Sequence, residues 1–339
     1  CFDNISHEWI LDHIPMYRDI LRKWLKSRYV ETGRLFPTDL GSPQGSAISP
    51  TICNMVLDGL EVQIRKKYHK TKRDGKAYFP KVNFIRYADD FIVTGESREL
   101  LEAGVLPIIR EFLSERGLEL SEEKTVITHI EDGFDFLGCN IRWYKDKLLT
   151  KPSKKNYKAI VNKVRGIIKQ NPSMKQEDLI RKLNPVIRGW INFQKYNVSS
   201  QAFDRFDFDV WRCLWRWCKR RHPKKSHKWI AKKYFRRVGT RNWTFSVNMA
   251  DSFELHLIYA TDTKIVRWLK TKSEATPFDE RFTEYFEDRD TKRMLREING
   301  RKKLNALYKM QKGICPHCGE PITVEQGFRI HTEMGADFK

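Results

Sequence analysis

Two adjacent carboxylates interrupt an apolar stretch of this sequence, and no other feature constrains the fold as strongly. The segment VNFIRYADDFIVTG (82–95) places Asp89 and Asp90 between runs rich in β-branched and aromatic residues. Such runs are typical of strands, and Ala-Asp-Asp between them predicts a β-hairpin with carboxylates at its tip. Asp is also an ordinary turn residue, so a solvated hairpin loop is the alternative interpretation of this segment alone.

Helical and strand-like patterns alternate on both sides of the hairpin. Apolar residues at helical spacing occur in segments 7–30, 41–68 (after a Gly/Pro-rich start) and 97–116. Segments 124–130 (KTVITHI) and 134–144 (FDFLGCNIRWY) are strand-like. Together these patterns predict an α+β domain, a sheet flanked by helices, over residues 1–150.

The positive charge of the chain is concentrated in one block. The 339 residues include 64 Lys and Arg against 43 Asp and Glu, and residues 151–250 alone contain 26 basic and 5 acidic residues. Such an imbalance is typical of a module that binds a polyanion. The block has no long apolar run, and no stretch of the chain reaches transmembrane length. Nucleic acid is therefore favoured over an anionic membrane surface.

The basic block has a helical pattern from Lys151 to Phe245. Its two longest segments, QEDLIRKLNPVIRGWINFQKY and FDRFDFDVWRCLWRWCKRRH, are amphipathic, with basic residues between the aromatic ones. A Trp/Phe stripe at helical spacing usually packs in a core. We therefore interpret four residues as packing residues and the arginines and lysines between them as candidates for phosphate contacts. The four are Trp211, Leu214, Trp215 and Cys218.

The cysteines indicate a reduced compartment. The chain contains seven, without the even, closely spaced framework of a disulfide-rich protein, and no signal peptide is recognised. We therefore expect a cytoplasmic or organellar protein that is not secreted. Only Cys315 and Cys318 have the C-x-x-C spacing of half a zinc site.

Four stretches, in this order, resemble the reverse transcriptases encoded by group II introns, which also assist splicing as maturases. They are CFDNISHEW (1–9), GSPQGSAISPTICNMVLDGLE (41–61), FIRYADDF (84–91) and GLELSEEKTVITHIEDGFDFLGCNI (117–141). Within the basic block, LNPVIRGWINFQKY (183–196) resembles the maturase-specific region. The resemblance implies a right-hand polymerase palm over 1–150 and a helical thumb and maturase domain over 151–250. A DNA-binding module would follow over 251–312, and a partial HNH endonuclease-like zinc segment over 313–339.

The resemblance also gives the two hairpin carboxylates a role. Nucleotidyl transfer uses two Mg²⁺ ions, which prefer hard oxygen ligands, and bound metal removes the repulsion between adjacent acids. Neighbouring residues of a strand point to opposite sides. The resemblance accordingly makes Asp89 a direct Mg²⁺ ligand and Asp90 a weaker or outer contributor.

Other site residues follow from the same resemblance. Phe2 matches the ring that favours dNTP over rNTP, and Gln44 and Gly45 match the loop beside the nucleotide and template, with Tyr87 also assigned to nucleotide binding. Lys124 matches the lysine that protonates the leaving pyrophosphate. Taken alone, these are ordinary core, turn and surface residues.

The family pattern extends beyond the given sequence. In the family the first metal-binding Asp lies a few residues before CFDNI, and therefore before Cys1, and the fingers region precedes it. Asp3 is a second acid of that motif and does not replace the missing ligand. We expect residues 1–339 alone to be inactive as a polymerase and to belong to a longer or split protein.

The basic block is expected to bind the primer–template duplex and the group II intron RNA through phosphate contacts. The candidates are Lys151, Lys154, Lys155, Arg188, Arg212, Arg216, Arg220 and Arg221. In the last segment, Zn²⁺ at Cys315 and Cys318 is expected only if the domain continues, because His331 fits the endonuclease motif but Thr332 stands where a second His would be. An incomplete domain remnant is the alternative.

The function implied is an RNA-directed DNA polymerase and splicing maturase that copies its intron from dNTPs at a DNA target during retrohoming. Two alternatives stay open at the level of the sequence. One is a maturase that binds RNA and has lost polymerisation. The other is a reverse transcriptase of host defence or of a CRISPR system.

Overall fold

The computed structural model describes residues 4–27, 29–31, 34–36, 41, 48–73, 75–248, 254–272, 274–298 and 302–323. The chain divides into two compact units, Cys1–Thr128 and His129–Lys339. Both mix helices with antiparallel strands, and this confirms the expected combination of helix and sheet.

The first unit is a set of short helices around one apolar core. The described helices are α1 (His7–His13), α2 (Arg18–Leu25), α3 (Ser49–Val56), α4 (Leu60–Lys67) and α5 (Leu106–Ser114), the last of which follows a π-helical segment at Leu100–Val105. Each contributes fully buried aliphatic or aromatic side chains, such as Ile10, Leu21, Ile52, Leu60 and Phe112. Burial of these side chains supplies most of the stabilisation of the unit.

Two of the predicted helical segments are each split into two helices. The segment 7–30 breaks between α1 and α2 because Pro15 disfavours helical backbone at Ile14, which caps α1 in an extended conformation. The segment 41–68 breaks between α3 and α4 at Gly59. This glycine has φ +90°, a left-handed conformation that costs other residues free energy.

The described strands of the first unit form three separate antiparallel pairs. They are β1 (Tyr29–Glu31) with β2 (Arg34–Phe36), β3 (Thr71–Arg73) with β4 (Lys76–Tyr78), and β5 (Asn83–Tyr87) with β6 (Asp90–Thr94). The third pair is the hairpin predicted around the two aspartates. The strand predicted at 124–130 is wrong. This segment has no regular secondary structure. Val126, whose apolar side chain suggested a strand, is 73% exposed and does not pack in a core.

The second unit begins with a three-stranded sheet and continues as a helical bundle. The strands are β7 (Phe134–Phe136), β8 (Cys139–Tyr144) and β9 (Lys147–Pro152), paired in this order. The helices are α6 (Lys154–Gln170), α7 (Gln176–Gln194), α8 (Ser200–Arg221) and α9 (His227–Tyr234). The prediction of strand structure in segment 134–144 is thus confirmed, and the structure shows that it forms two antiparallel strands. The amphipathic segments of the basic block are confirmed as helices.

The helical prediction is wrong at the end of the basic block. Phe235–Val238 (β10) and Arg241–Asn248 (β11) are strands, and Glu254–His256 (β12) completes a second three-stranded sheet. In β11, Thr244, Phe245 and Ser246 are buried while the flanking residues are more exposed. The chain then continues as α10 (Thr283–Glu297) and α11 (Lys302–Met310), which share a small core around Met294 and Tyr308.

Among the described helices, none combines the length and the apolar character needed to cross a bilayer.

Candidate functional site

The two aspartates occupy different positions in the β5–β6 hairpin. Tyr87 pairs with Asp90, so the loop consists of only two residues, Ala88 and Asp89, and Asp90 is the first residue of β6. Ala88 has φ +53°, and positive φ at the first loop residue alone is the pattern of a type II′ hairpin turn. The turn therefore places two carboxylates at consecutive backbone positions but in different local geometries.

One face of the hairpin anchors it to the core of the first unit. Phe84 is buried and lies opposite Val93, and its ring stacks on Phe91 with the centroids 5.5 Å apart. The other face is open: Ile85 is 58% exposed and Tyr87 is 65% exposed. This alternation follows from the two-residue period of a strand. It keeps Tyr87, predicted to contact the nucleotide, at the surface next to the carboxylates.

Arg86 connects the hairpin tip to a helix. It stands on the same strand face as Phe84, and the residue as a whole is partly buried. Its Nη1 donates to Asn54 Oδ1 of α3 at 3.0 Å and to the backbone carbonyl of Ala88 at 3.1 Å. Arg86 thereby ties the turn to α3. Arg86 is not among the residues predicted for the site, although a cation at an inward-facing position of an alternating strand is a recognisable signal.

Asp89 and Asp90 are both exposed, and in the part of the chain that the structure describes neither forms a salt bridge. The cation closest in sequence, Arg86, is occupied by Asn54 and Ala88. The Asp89 carboxylate also affects the pKa of a nearby cysteine, Cys53. Burial raises the pKa of the Cys53 thiol, and the Asp89 carboxylate raises it further.

These side chains fit a divalent cation. They supply hard anionic oxygen ligands, which Mg²⁺ prefers, and no protein cation competes for them among the described residues. Two carboxylates alone do not complete an octahedral shell, and the described residues contain no group of three or more acidic, His or Cys side chains that could hold a metal. The remaining ligands would have to come from water, from substrate phosphates or from further carboxylates.

The other residues predicted for this site are only partly described. Phe2, Gln44 and Gly45 lie outside the described residues, as do Cys1 and Asp3. Lys124 lies in an exposed turn, where its backbone N–H donates to the carbonyl of Ser121 at 3.2 Å. The described contacts do not join Lys124 to the hairpin carboxylates. The structure thus brings together Tyr87, Asp89 and Asp90, and the role of Lys124 stays a prediction.

Three of the predicted RNA-binding arginines form a stripe on α8. Arg212, Arg216 and Arg220 follow each other at four-residue spacing and are all exposed. Residues at this spacing share a helix face. Phe208, one turn earlier, is 56% exposed, and the guanidinium of Arg212 lies 5.7 Å from its ring centroid. The stripe has the exposure and the charge that phosphate contacts require.

The remaining five candidates differ in whether their side chains make contacts within the fold. Arg221 donates to the carbonyls of Pro172 and Met174 at 3.1 and 2.6 Å and lies over Trp217, so it ties the end of α8 to the α6–α7 connection. Lys151 lies over the ring of Tyr144 at 4.1 Å. Three exposed cations complete the set: Lys154 and Lys155 in the first turn of α6, and Arg188 on α7.

The four residues of α8 that were predicted to pack in a core do so. Leu214 and Cys218 are buried, and Trp211 and Trp215 pack against the same core with their ring centroids 5.9 Å apart. Burial raises the pKa of the Cys218 thiol to about 12, so this cysteine is a neutral core residue at physiological pH. The apolar face of α8 thus holds the basic face in place.

The cysteine pair lies in a tight turn near the end of the described chain. Gly319 N–H donates to the Cys315 carbonyl at 2.9 Å, and Cys315 N–H donates to the Glu320 carbonyl at 2.8 Å. The N–H groups of Cys318 and His317 and the side chain of Cys318 lower the pKa of the Cys315 thiol. No third ligand joins the pair within the described residues, and His331 and Thr332 lie beyond them. Zinc binding stays a prediction without support from the structure.

Two protein families match consecutive parts of the chain. Residues 1–141 match reverse transcriptase (RNA-dependent DNA polymerase), and residues 157–235 match the group II intron maturase-specific domain. The first match includes the β5–β6 hairpin and confirms the palm-type domain expected from the sequence. The second includes α7 and α8 and confirms the maturase-like region. Neither match reaches the cysteine pair, so an HNH domain is not shown.

Several known proteins are similar to the chain. The group II intron-encoded protein LtrA of Lactococcus lactis is 24% identical over 233 residues, which cover 52% of this chain and 39% of LtrA. The COX1/OXI3 intron 1 protein of Saccharomyces cerevisiae is 30% identical over 191 residues, covering 42% and 23%. The protein YkfC of Escherichia coli is 25% identical over 164 residues, covering 40% and 43%.

The matched regions therefore span less than half the length of each of these relatives. Within that part, the order of the two domains is the order of the sequence motifs. The chain carries a reverse transcriptase domain followed by a group II intron maturase-specific domain, and group II intron-encoded proteins are among its homologues.

Proposed function

We propose that the protein containing this chain is an RNA-directed DNA polymerase and splicing maturase of a mobile group II intron. The observation that carries the proposal is the β5–β6 hairpin, which presents Asp89 and Asp90 at an exposed tip within the reverse transcriptase match. The adjoining maturase match contains the arginine stripe of α8. One chain thus combines a candidate nucleotidyl-transfer site with a candidate RNA-binding surface.

In the proposed reaction, Asp89 would hold Mg²⁺ directly and Asp90 would contribute more weakly. When bound there, Mg²⁺ would supply Lewis acidity toward the primer 3′-hydroxyl and charge neutralisation for the triphosphate. Tyr87, Phe2, Gln44 and Gly45 are proposed to line the site of the incoming dNTP, and Lys124 to supply the proton for pyrophosphate. Asn54 and Arg86 would keep the turn in position while substrates exchange.

In the basic domain, the proposed partners are the group II intron RNA, the primer–template duplex and the DNA target. Phosphate contacts give affinity without base reading, and A-form duplexes are recognised mainly by shape. The exposed Arg212, Arg216 and Arg220 suit this role, because they project from a helix fixed by its buried face. Endonuclease activity rests on the C-x-x-C segment alone and is not part of the proposal.

Primer extension on an RNA template with Mg²⁺ tests the catalytic part, using the full-length protein. Asp89→Ala should lower the extension rate by about 10³-fold or more, because a metal ligand contributes several kcal/mol to transition-state stabilisation. Asp58→Ala is the matched control, since Asp58 is exposed in the same unit and lies outside the hairpin. Full extension by the Asp89→Ala protein would refute the metal assignment.

Splicing of the cognate intron by the same proteins separates catalysis from folding. Asp89→Ala should still support splicing, because the RNA-binding surface lies in the other unit. If Asp89→Ala loses both activities and its thermal unfolding temperature falls, the variant is misfolded. The more conservative Asp89→Asn is then compared with the wild type in both assays. Splicing without extension by the wild-type protein would favour the maturase that has lost polymerisation.

A further inference from the structure

A cation lies buried in the apolar core of the first unit. Arg116, in the turn after α5, is 8% exposed, and its guanidinium carbon lies 3.4 Å from the ring centroid of Phe112 and 4.5 Å from that of Trp9. Taking a cation out of water is costly unless hydrogen bonds and nearby charges compensate it. An apolar side chain of similar volume would avoid this cost, so packing alone does not account for an arginine at this position.

The guanidinium joins the ends of two helices. Its Nε donates to the carbonyl of Val56, the last residue of α3, at 2.9 Å, and its Nη1 donates to the carbonyl of Phe112 in the last turn of α5 at 2.7 Å. Helix C-termini carry unpaired carbonyls and a partial negative charge, and both features suit a cation. The Glu115 carboxylate adds a contact with Nη1 at 2.9 Å from the solvent side. Arg116 thus fixes α3 and α5 to each other through their C-terminal ends.

The backbone of the same turn holds the chain that leads into α1. The Arg116 carbonyl accepts from the Ser6 N–H at 3.0 Å. Gly117 adopts φ +71°, and a Cβ built on it would lie 3.0 Å from the Asn4 carbonyl oxygen. The two chain segments therefore approach each other about as closely as a glycine allows. Arg116 thus contacts α3 and α5 with its side chain and the start of α1 with its carbonyl.

Two of the elements that meet at Arg116 are connected to the candidate polymerase site. The segment bonded to its carbonyl lies in the stretch CFDNISHEW (1–9), which resembles the end of the first catalytic motif. Helix α3 carries Asn54, which accepts from Arg86 of the β5–β6 hairpin, and Val56 follows two residues later. The hydrogen bonds of Arg116 and Arg86 therefore join the two segments through the end of one helix.

We propose that Arg116 is a positioning residue for the polymerase reaction, because it fixes segment 4–9 relative to the β5–β6 hairpin through α3. This role rests on the proposed function, since the family resemblance places a metal-binding carboxylate near each of the two segments. A planar guanidinium can hold two carbonyls at a fixed spacing, whereas the ammonium of a lysine is a single point on a flexible stem. A displacement of roughly 1 Å at a reacting group lowers a reaction rate by about 10²-fold.

Arg116→Lys in the full-length protein tests this role, because lysine keeps the charge and loses the planar fork. The single-turnover rate of primer extension at saturating dNTP should fall by about 10²-fold, with little change in the KM for dNTP. Hydrogen exchange of the Ser6 amide, measured without substrate or metal, should become faster by roughly tenfold or more, the equivalent of one lost hydrogen bond to a charged group. Arg110→Lys is the matched control, since Arg110 is exposed on α5, and it should leave both quantities unchanged.

A double-mutant cycle tests the connection through α3. Because Arg116 and Asn54 are proposed to act through the same helix, Arg116→Lys combined with Asn54→Ala should extend little more slowly than Arg116→Lys alone. Losses that multiply would show independent contributions and overturn the connection. Wild-type extension by Arg116→Lys, whatever its hydrogen exchange, would overturn the positioning role and leave the proposed function intact. Absence of extension by the wild-type protein would refute the proposed function and the positioning role with it.

Gly117→Ala supplies a second variant in which the guanidinium is unchanged. Its Cβ would lie 3.0 Å from the Asn4 carbonyl oxygen and 3.1 Å from the Ser6 nitrogen, so it displaces the same segment from the backbone side. The extension rate should again fall while the KM for dNTP stays nearly constant. If circular dichroism shows that Arg116→Lys does not fold, this variant decides the outcome. Folded Gly117→Ala protein that extends primers at the wild-type rate would then overturn the positioning role.

Discussion

The β5–β6 hairpin and helix α8 support their functional residues in opposite ways. The hairpin presents one carboxylate in its two-residue loop and the other at the first residue of β6. It is anchored by Phe84 on one face and by the bonds of Arg86 to Asn54 and Ala88. Helix α8 spreads its arginines over several turns, above an almost continuous row of buried residues. Metal chemistry needs a few atoms held accurately, whereas phosphate binding needs charge distributed over a firm surface.

The largest effect is expected from the buried face of α8. Phe206 is fully buried, and its ring centroid lies 4.8 Å from that of Trp190. Phe206→Ala should lower the free energy of unfolding of the second unit by about 3–5 kcal/mol, through lost burial and the cavity left behind. Urea unfolding followed by circular dichroism measures this change.

Phe208→Ala on the same helix is the control, because Phe208 is 56% exposed. A surface substitution of this kind should change stability by no more than about 0.5 kcal/mol. Equal losses from the two variants would contradict the division of α8 into a packing face and an open face.

An intermediate effect is expected from the support of the hairpin. Arg86→Leu removes two hydrogen bonds and should lower the local stability of the hairpin by about 1–2 kcal/mol. Primer extension should fall further, by about 10²-fold, because a displacement of roughly 1 Å at a reacting group has that effect. Amide hydrogen exchange of β5 and β6 and single-turnover extension rates measure the two quantities.

Two variants sharpen the assignment of Arg86. Asn54→Ala should reproduce part of the loss, since it removes one of the two bonds. Arg98→Leu breaks only a surface ion pair with Glu102 and should have little effect. If Arg86→Leu lowers stability but leaves the extension rate intact, Arg86 is a structural residue without a positioning role.

The smallest effect is expected on the pH dependence of stability, through His222 at the C-terminal end of α8. Burial lowers the pKa of His222, and Lys233, Arg221 and Lys225 lower it further. Because the folded-state pKa lies below the unfolded value of 6.5, the unfolded state takes up the proton first, and stability is lost as the pH falls below 6.5. The unfolding free energy of the wild type should therefore decline more steeply between pH 7.5 and 5 than that of His222→Gln. Parallel pH profiles would contradict this linkage.

Sequence reasoning was successful where one local pattern determines the outcome. The hairpin follows from alternating residues around a turn, and α7 and α8 follow from long amphipathic periods. The helical prediction fails between Phe235 and Phe245, because alternating aromatic and basic residues over a short length do not distinguish a strand from a helix continued from the preceding block. The packing of neighbouring elements decides such cases.

The contacts that complete both candidate sites join residues distant in sequence. Asn54 and Arg86 meet across 32 positions, and Arg221 meets Pro172 and Met174 across 49 and 47 positions. The charge of Arg221 predicts RNA binding, and that role stays a prediction, but the sequence does not show that its guanidinium also donates to two carbonyls of the α6–α7 connection. Counting charged residues identifies a basic region, but it does not show which of the basic side chains form hydrogen bonds within the fold.

The two-residue loop has an evolutionary consequence. Tyr87 faces Asp90, so inserting or deleting one residue in either strand would exchange the inward and outward faces of that strand, expelling Phe84 or Val93 from the core. Substitutions on the open face, at Ile85 for example, avoid this penalty. Among related sequences, the length of the β5–β6 hairpin should therefore vary far less than its amino-acid composition. Insertions and deletions should occur mainly outside the hairpin.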